Sequence, residues 1–161
     1  MRKILYLHGL ESPQGGEKVD FLASKNFVCA PSIDYSRPDL EEYLLGIVDS
    51  IKPDLIIGSS MGGYVGLMLA QYCNADAIVF NPALHSRSIE PNLPTLINQE
   101  GNYFSIAPVV VLGLEDDIID PKVTVNMLDS SELDVSYDMY PFLGHRIPND
   151  VFIDIYNKYV K

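Results

Sequence analysis

The sequence predicts an α/β protein built on a parallel, doubly wound sheet, and three observations carry that reading. Six short apolar runs rich in β-formers alternate with helical patterns. Four of the runs are nearly continuous in apolar residues, as strands covered by helices on both faces must be. A Gly- and Ser-rich turn, "GSSMGG" at 58–63, joins an apolar strand pattern directly to an apolar helix pattern.

The runs are "KILYLH" (3–8), "FVCA" (27–30), "DLIIG" (54–58), "AIVF" (77–80), "PVVVLG" (108–113) and "DVSYDMY" (134–140). Between them, residues 16–25 put Val19, Leu22 and Ala23 on one helical face. Residues 38–51 align Leu40, Leu44, Ile47, Val48 and Ile51, behind "SRPD", which offers a capping serine and an early proline. Residues 61–72 are apolar nearly all round and predict a deeply buried helix. Asp120-Pro121 is an N-cap and first-turn pair for a helix over 121–129. The last helix, 149–159, gathers Val151, Phe152, Ile155, Tyr156 and Tyr159 on one side. Residues 82–104 carry three prolines and little periodicity, so we expect a long connection that serves as a binding loop or short lid.

At 161 residues, with 47% hydrophobic content, the chain has the length and composition of one globular domain, 1–161, with no room for a separate cap domain. A formal charge of −11, without long Lys/Arg runs, argues against nucleic acid or an anionic membrane surface as partner. Cys29 and Cys73 stand far apart in apolar settings, with no metal-ligand spacing. Buried free thiols in a reducing compartment are expected, which favours the cytoplasm. The apolar stretch of "MRKILYLHGL" ends at His8, too early for a signal peptide, and no stretch reaches transmembrane length.

The turn matches GxSxG with Ser60 at its centre, flanked by Gly58 and Gly62; centring it on Ser59 would need glycine where Ile57 stands. A strand turning at once into a helix holds its central residue at positive φ, and only small neighbours let the chain pass so closely. The strain lifts the hydroxyl clear of the sheet, beside the N–H groups of the helix start. Ser60 is therefore the candidate nucleophile, and the Met61 N–H a candidate oxyanion donor. The pattern alone is weak, arising by chance in about one chain in twenty of this length. Its place between strand and helix gives it weight. No Lys follows the glycines and no GxG opens the turn, so neither phosphate-loop fingerprint fits.

A serine nucleophile needs a base, and the order Ser, acid, His after the last strand selects His145 over His8 and His85. The acid should lie in "VVVLGLEDDIIDP", at the carboxyl end of the fifth strand, where open α/β sheets place their sites. Gly113, Asp116 and Ile119 fit a strand–Gly–x–x–Asp loop with an aliphatic packed beneath it, so Asp116 is first choice and Asp117 second. Asp120 reads as the helix cap. "LHGLESPQGG" leaves the first strand at the same end of the sheet, so the Leu10 N–H is the candidate second oxyanion donor and His8 an organiser of that loop.

Taken together, "YLHGLESP", "GSSMGGYVG", "VFNPAL", "DDIID" and the late "GH" resemble the small bacterial esterases of the YqiA/YcfP-like family, in the α/β-hydrolase superfamily. The resemblance spans nearly the whole chain, with departures at Leu10-Glu11-Ser12 and over 83–107. It implies a six-stranded parallel sheet in the order 2-1-3-4-5-6, without the superfamily's first two strands, and hydrolysis of carboxylic esters. The expected activity is cleavage of a small-molecule ester by Ser60, Asp116 and His145 through an acyl-enzyme, with no metal or organic cofactor. A thioesterase or amidase using the same residues, and a non-catalytic binding protein on the same fold, are the alternatives that the sequence leaves open, as it does the oligomeric state.

Overall fold

The computed structural model describes residues 1–100 and 104–161. Its strands are β1 (Lys3–Leu7), β2 (Phe27–Cys29), β3 (Leu55–Ser59), β4 (Asp76–Phe80), β5 (Val109–Gly113) and β6 (Ser136–Tyr140). Its α-helices are α1 (Glu17–Ala23), α2 (Leu40–Ile51), α3 (Met61–Cys73), α4 (Pro121–Asp129) and α5 (Asn149–Tyr159). All five strand pairings are parallel, in the order β2-β1-β3-β4-β5-β6. This is the order that the resemblance implies.

Alternation along each strand explains the continuous apolar runs. In β1, Leu5 and Leu7 face a core completed by α2 and α3, while Ile4 and Tyr6 face the opposite core with Leu22 of α1 and Phe152, Ile155 and Tyr156 of α5. Both faces are buried, so both parities must be apolar. A third cluster packs Leu67 of α3 and Leu128 of α4 on Val79, Val110 and Leu112. The edges are handled differently: β2 has three residues, and β6 carries Asp138, which binds Lys158, Tyr159 and Tyr140. Short or charged edges discourage pairing with another sheet.

Some local expectations are corrected. Ser36 does not cap α2: its N–H and hydroxyl both bond to Asp34 in a turn, and Asp39 occupies the cap position without a side-chain cap bond. A side chain that can bond locally one turn earlier is lost to the helix. Asp120 does cap α4, accepting the Lys122 N–H at 2.9 Å. Cys29 and Cys73 are free but half-buried rather than buried, because one lies on the edge strand and the other ends α3. Burial still pushes both thiols up from their ordinary pKa.

The 82–104 connection divides in two. Leu93 and Leu96 are buried in the α2–α3 core, and the Thr95 N–H donates to the Glu41 carboxylate on α2. The Gln99 amide donates to Met68 O and Leu96 O, so this part is packed against the helices. Ala83, Ser86, Arg87 and Ser88 line a cleft together with Ser59, Ser60 and Met61 at the turn after β3. Residues 101–103, which belong to the expected lid segment, lie outside the described residues. No described helix is long and apolar enough to cross a membrane.

Candidate active site

The strand order reverses direction around β1 and β3, and a cleft opens at their carboxyl ends, where open α/β sheets bind ligands. It has a volume of about 610 Å³. The loop after β1, the elbow after β3, Ala83 and residues 86–88, Ile118 and Ile119, and the segment around His145 line it.

Ser60 stands at φ 54°, ψ −116°, between the last residue of β3 and the first of α3. Its N–H donates to Phe80 O at 2.9 Å and its carbonyl accepts the Ala83 N–H at 2.9 Å, so neighbouring chain holds the strained residue in place. The two glycines are required sterically. A Cβ on Gly58 would overlap the backbone of Gly62, and one on Gly62 would overlap the carbonyls of Leu7 and His8. The elbow is thus wedged between its own strand and the neighbouring one.

His145 Nε2 lies 3.1 Å from Ser60 Oγ, and its Nδ1 lies 2.7 Å from Asp116 Oδ2. Asp116 Oδ1 accepts the N–H groups of Ile118 and Ile119, both at 2.9 Å. The carboxylate side chain is fully buried, and burial by itself would raise its pKa. The bonds from His145, Ile119 and Ile118 outweigh that effect and hold the carboxyl below its ordinary value. An ionised Oδ2 requires Nδ1 to carry the proton, leaving Nε2 free to accept from the serine hydroxyl. Asp117 is exposed, and Ile119 is buried beneath the loop as its spacing predicts.

His8 organises the first loop. The Ile33 N–H donates to its Nε2 at 2.9 Å, which makes Nδ1 the protonated nitrogen, donating to Gly9 O at 2.6 Å. The Tyr35 hydroxyl donates to His8 O at 2.6 Å. Leu10 and Met61 both line the cleft beside Ser60, and among the described residues neither amide donates to a protein acceptor. His85 lies away from the relay, bonded through Nε2 to Asp120 O and Thr124 Oγ1.

One residue at the site escaped sequence reasoning. Asn81, immediately after β4, is buried at φ 42° and bonds to both the acid loop and the histidine loop. The available signal was an asparagine ending an otherwise apolar strand, in "VFNPAL". Among the described residues no cluster of His, Cys, Asp and Glu could hold a metal ion.

The model of an uncharacterised protein family, UPF0227, matches residues 3–105. The chain belongs to this family. That stretch includes β1 to β4, the elbow and the loop carrying His8 and Leu10, while Asp116 and His145 lie beyond it. No match was found among curated proteins. Solved structures show the fold. A protein from Xanthomonas campestris pv. campestris assigned to the α/β superfamily of hydrolases superposes with TM-score 0.63 at 15% identity, covering 98% of this chain and 99% of its own. An α/β serine hydrolase without a lid from Xanthomonas campestris gives 0.62 at 18% identity, covering 96% and 77%. Est1E from Butyrivibrio proteoclasticus, solved with ferulic acid, gives 0.69 at 12% identity, covering 99% and 88%. The family member described here therefore has an α/β-hydrolase fold.

Proposed function

We propose that the protein is a serine hydrolase that cleaves small carboxylic esters. The observation that carries this reading is the unbroken relay from Asp116 through His145 to Ser60, at 2.7 and 3.1 Å, opening onto the cleft. Ser60 Oγ attacks the ester carbonyl while His145 Nε2 takes its proton, and Asp116 holds the tautomer and stabilises the imidazolium. The Leu10 and Met61 N–H groups receive the developing oxyanion, each contributing about 3–4 kcal/mol to lowering the barrier. His145 then returns its proton to the leaving alkoxide. In the second half, a water replaces the alcohol and loses a proton to His145 as it attacks the acyl-enzyme. The acid departs and Ser60 regains its hydrogen.

A lidless fold neighbour that is a serine hydrolase, and the esterase resemblance of the sequence, support the same reading. Labelling with a fluorophosphonate probe followed by peptide mapping tests it. Modification at Ser60, competed by a short ester, is the expected result. An unlabelled, folded chain would favour a non-catalytic binding protein.

A further inference from the structure

The residues Phe80 to Ala83 hold no place in the serine chemistry, yet they touch the backbone of all three loops that supply it. Phe80 O and the Ala83 N–H bond to Ser60, each at 2.9 Å. Between them, the Asn81 side chain spans the other two loops. Its Oδ1 accepts the N–H of Gly113 at 2.9 Å, and its Nδ2 donates to Gly144 O at 3.0 Å and His145 O at 2.9 Å. Gly113 ends β5, and its carbonyl accepts the Asp116 N–H at 3.2 Å, so the bond to Gly113 is anchored to the acid turn.

Only one orientation of the amide satisfies these partners, because an N–H can only donate and a carbonyl can only accept. Asn81 is 1% exposed, and its own N–H donates to Val111 O at 2.9 Å. The side chain therefore projects from a fixed backbone. The histidine loop also rides closely on β5: a Cβ at Gly113 would overlap the carbonyls of Leu143 and Gly144. The Glu115 N–H donates to Leu143 O at 3.0 Å. Among the described residues, however, Asn81 is the one group bonded to the carbonyls of both Gly144 and His145. His145 must meet Asp116 on one side of its ring and Ser60 on the other, so a small shift of its backbone breaks both bonds.

We propose that Asn81 is a positioning residue for the relay, holding the acid loop and the histidine loop in one register against the serine elbow. The inference rests on the reading of Ser60, His145 and Asp116 as catalytic. Its chemistry demands an amide. A carboxylate of the same shape keeps the acceptor for Gly113 but presents negative oxygen to two carbonyls, whereas glycine accepts the positive φ and removes all three bonds.

The test compares the parent chain with Asn81→Asp and Asn81→Gly by urea unfolding, by kcat and KM on p-nitrophenyl acetate, and by the low-field proton resonance of His145 Nδ1–H. In folded variants, kcat should fall roughly 100-fold with KM within about twofold of the parent, as expected when reacting groups are displaced by about an ångström. The resonance should be lost or broadened in both variants. Parent-like kcat and resonance in either folded variant would overturn the proposal. So would a loss confined to Asn81→Asp, which would assign the effect to charge rather than to position. A parent chain that turns over no ester would instead overturn the esterase reading, and the imidazole resonance would still decide the role of Asn81.

Discussion

The two oxygens of Asp116 are divided between tasks: Oδ2 faces His145 Nδ1 at 2.7 Å, while the amides of Ile118 and Ile119 occupy Oδ1. Those amides can only donate. In Asp116→Asn they would hold the carbonyl oxygen and turn the NH₂ group towards His145. The imidazole would then accept at Nδ1 and carry its proton on Nε2, where it faces Ser60 and cannot accept. We expect a loss in kcat on the order of 10⁴-fold with the fold retained. Asp117→Asn, at an exposed neighbour, should change kcat by no more than about threefold, the scale of a surface substitution. Steady-state kinetics with circular dichroism checks both.

The same carboxylate sets a pH signature. Its pKa lies below the ordinary value because the bonds to His145, Ile119 and Ile118 outweigh burial, so Asp116 stays ionised across the range in which an imidazole titrates. Asp116 should therefore add no second proton to the acid limb of log kcat/KM, whose slope should not exceed one; a slope of two would contradict it. For stability, a depressed folded pKa contributes above the unfolded pKa and is lost as pH falls through the folded one. The stability gap between parent and Asp116→Asn should thus close at acid pH, as read by urea midpoints.

Ser60 and Ser59 are adjacent, but only Ser60 meets the imidazole. Ser60→Ala should lower ester hydrolysis by about 10⁴-fold or more, as loss of a nucleophile does elsewhere. Ser59→Ala, at the end of β3, should retain much of the activity. Parent-like turnover by Ser60→Ala would remove the mechanism entirely.

Acyl length should follow the cleft. Leu93 and Leu96, which could have formed an apolar lid, are committed to the α2–α3 core, and the part of that connection at the site contributes only the small Ala83 beside Ser86, Arg87 and Ser88. Each methylene adds about 0.8 kcal/mol only where apolar surface exists to bury it. Values of kcat/KM for p-nitrophenyl esters should peak from acetate to butyrate and fall by octanoate. A steady rise through decanoate would point instead to an apolar channel.

Two glycines make a stability test with opposite signs. Gly62→Ala would drive a methyl into the carbonyls of Leu7 and His8. It should destabilise by at least the ~1–3 kcal/mol of ordinary overpacking. Gly46 lies on the exposed side of α2, with open space around its Cα, so Gly46→Ala should stabilise by about 0.5–1 kcal/mol. Chemical denaturation of both variants reads the difference.

What the sequence by itself determined was local. Apolar runs place the six strands within two residues of their ends, most plainly β1, β3, β4 and β5, because a strand buried on both faces must be apolar at both parities. Helix stripes, the all-apolar 61–72 and the Asp120-Pro121 cap place the five α-helices, and the glycine spacing singles out Ser60 because the chain passes closely at the positions two residues either side of it. The order of serine, acid and histidine was legible too. Tertiary structure decided what depends on loops from separate strands coming within hydrogen-bond reach. Asp116 rather than Asp117 faces His145, since the Ile118 and Ile119 amides turn that carboxylate inward. Leu93 and Leu96 dock on helices far from them in the chain, with no periodicity to announce it. Ser36 could cap a helix by sequence but bonds to Asp34. Asn81 ends a strand like many asparagines, and only the parallel stacking of β3, β4 and β5 sets its amide between Gly113 and His145. A hydrogen bond is directional over about 3 Å, and no one-dimensional pattern carries that geometry.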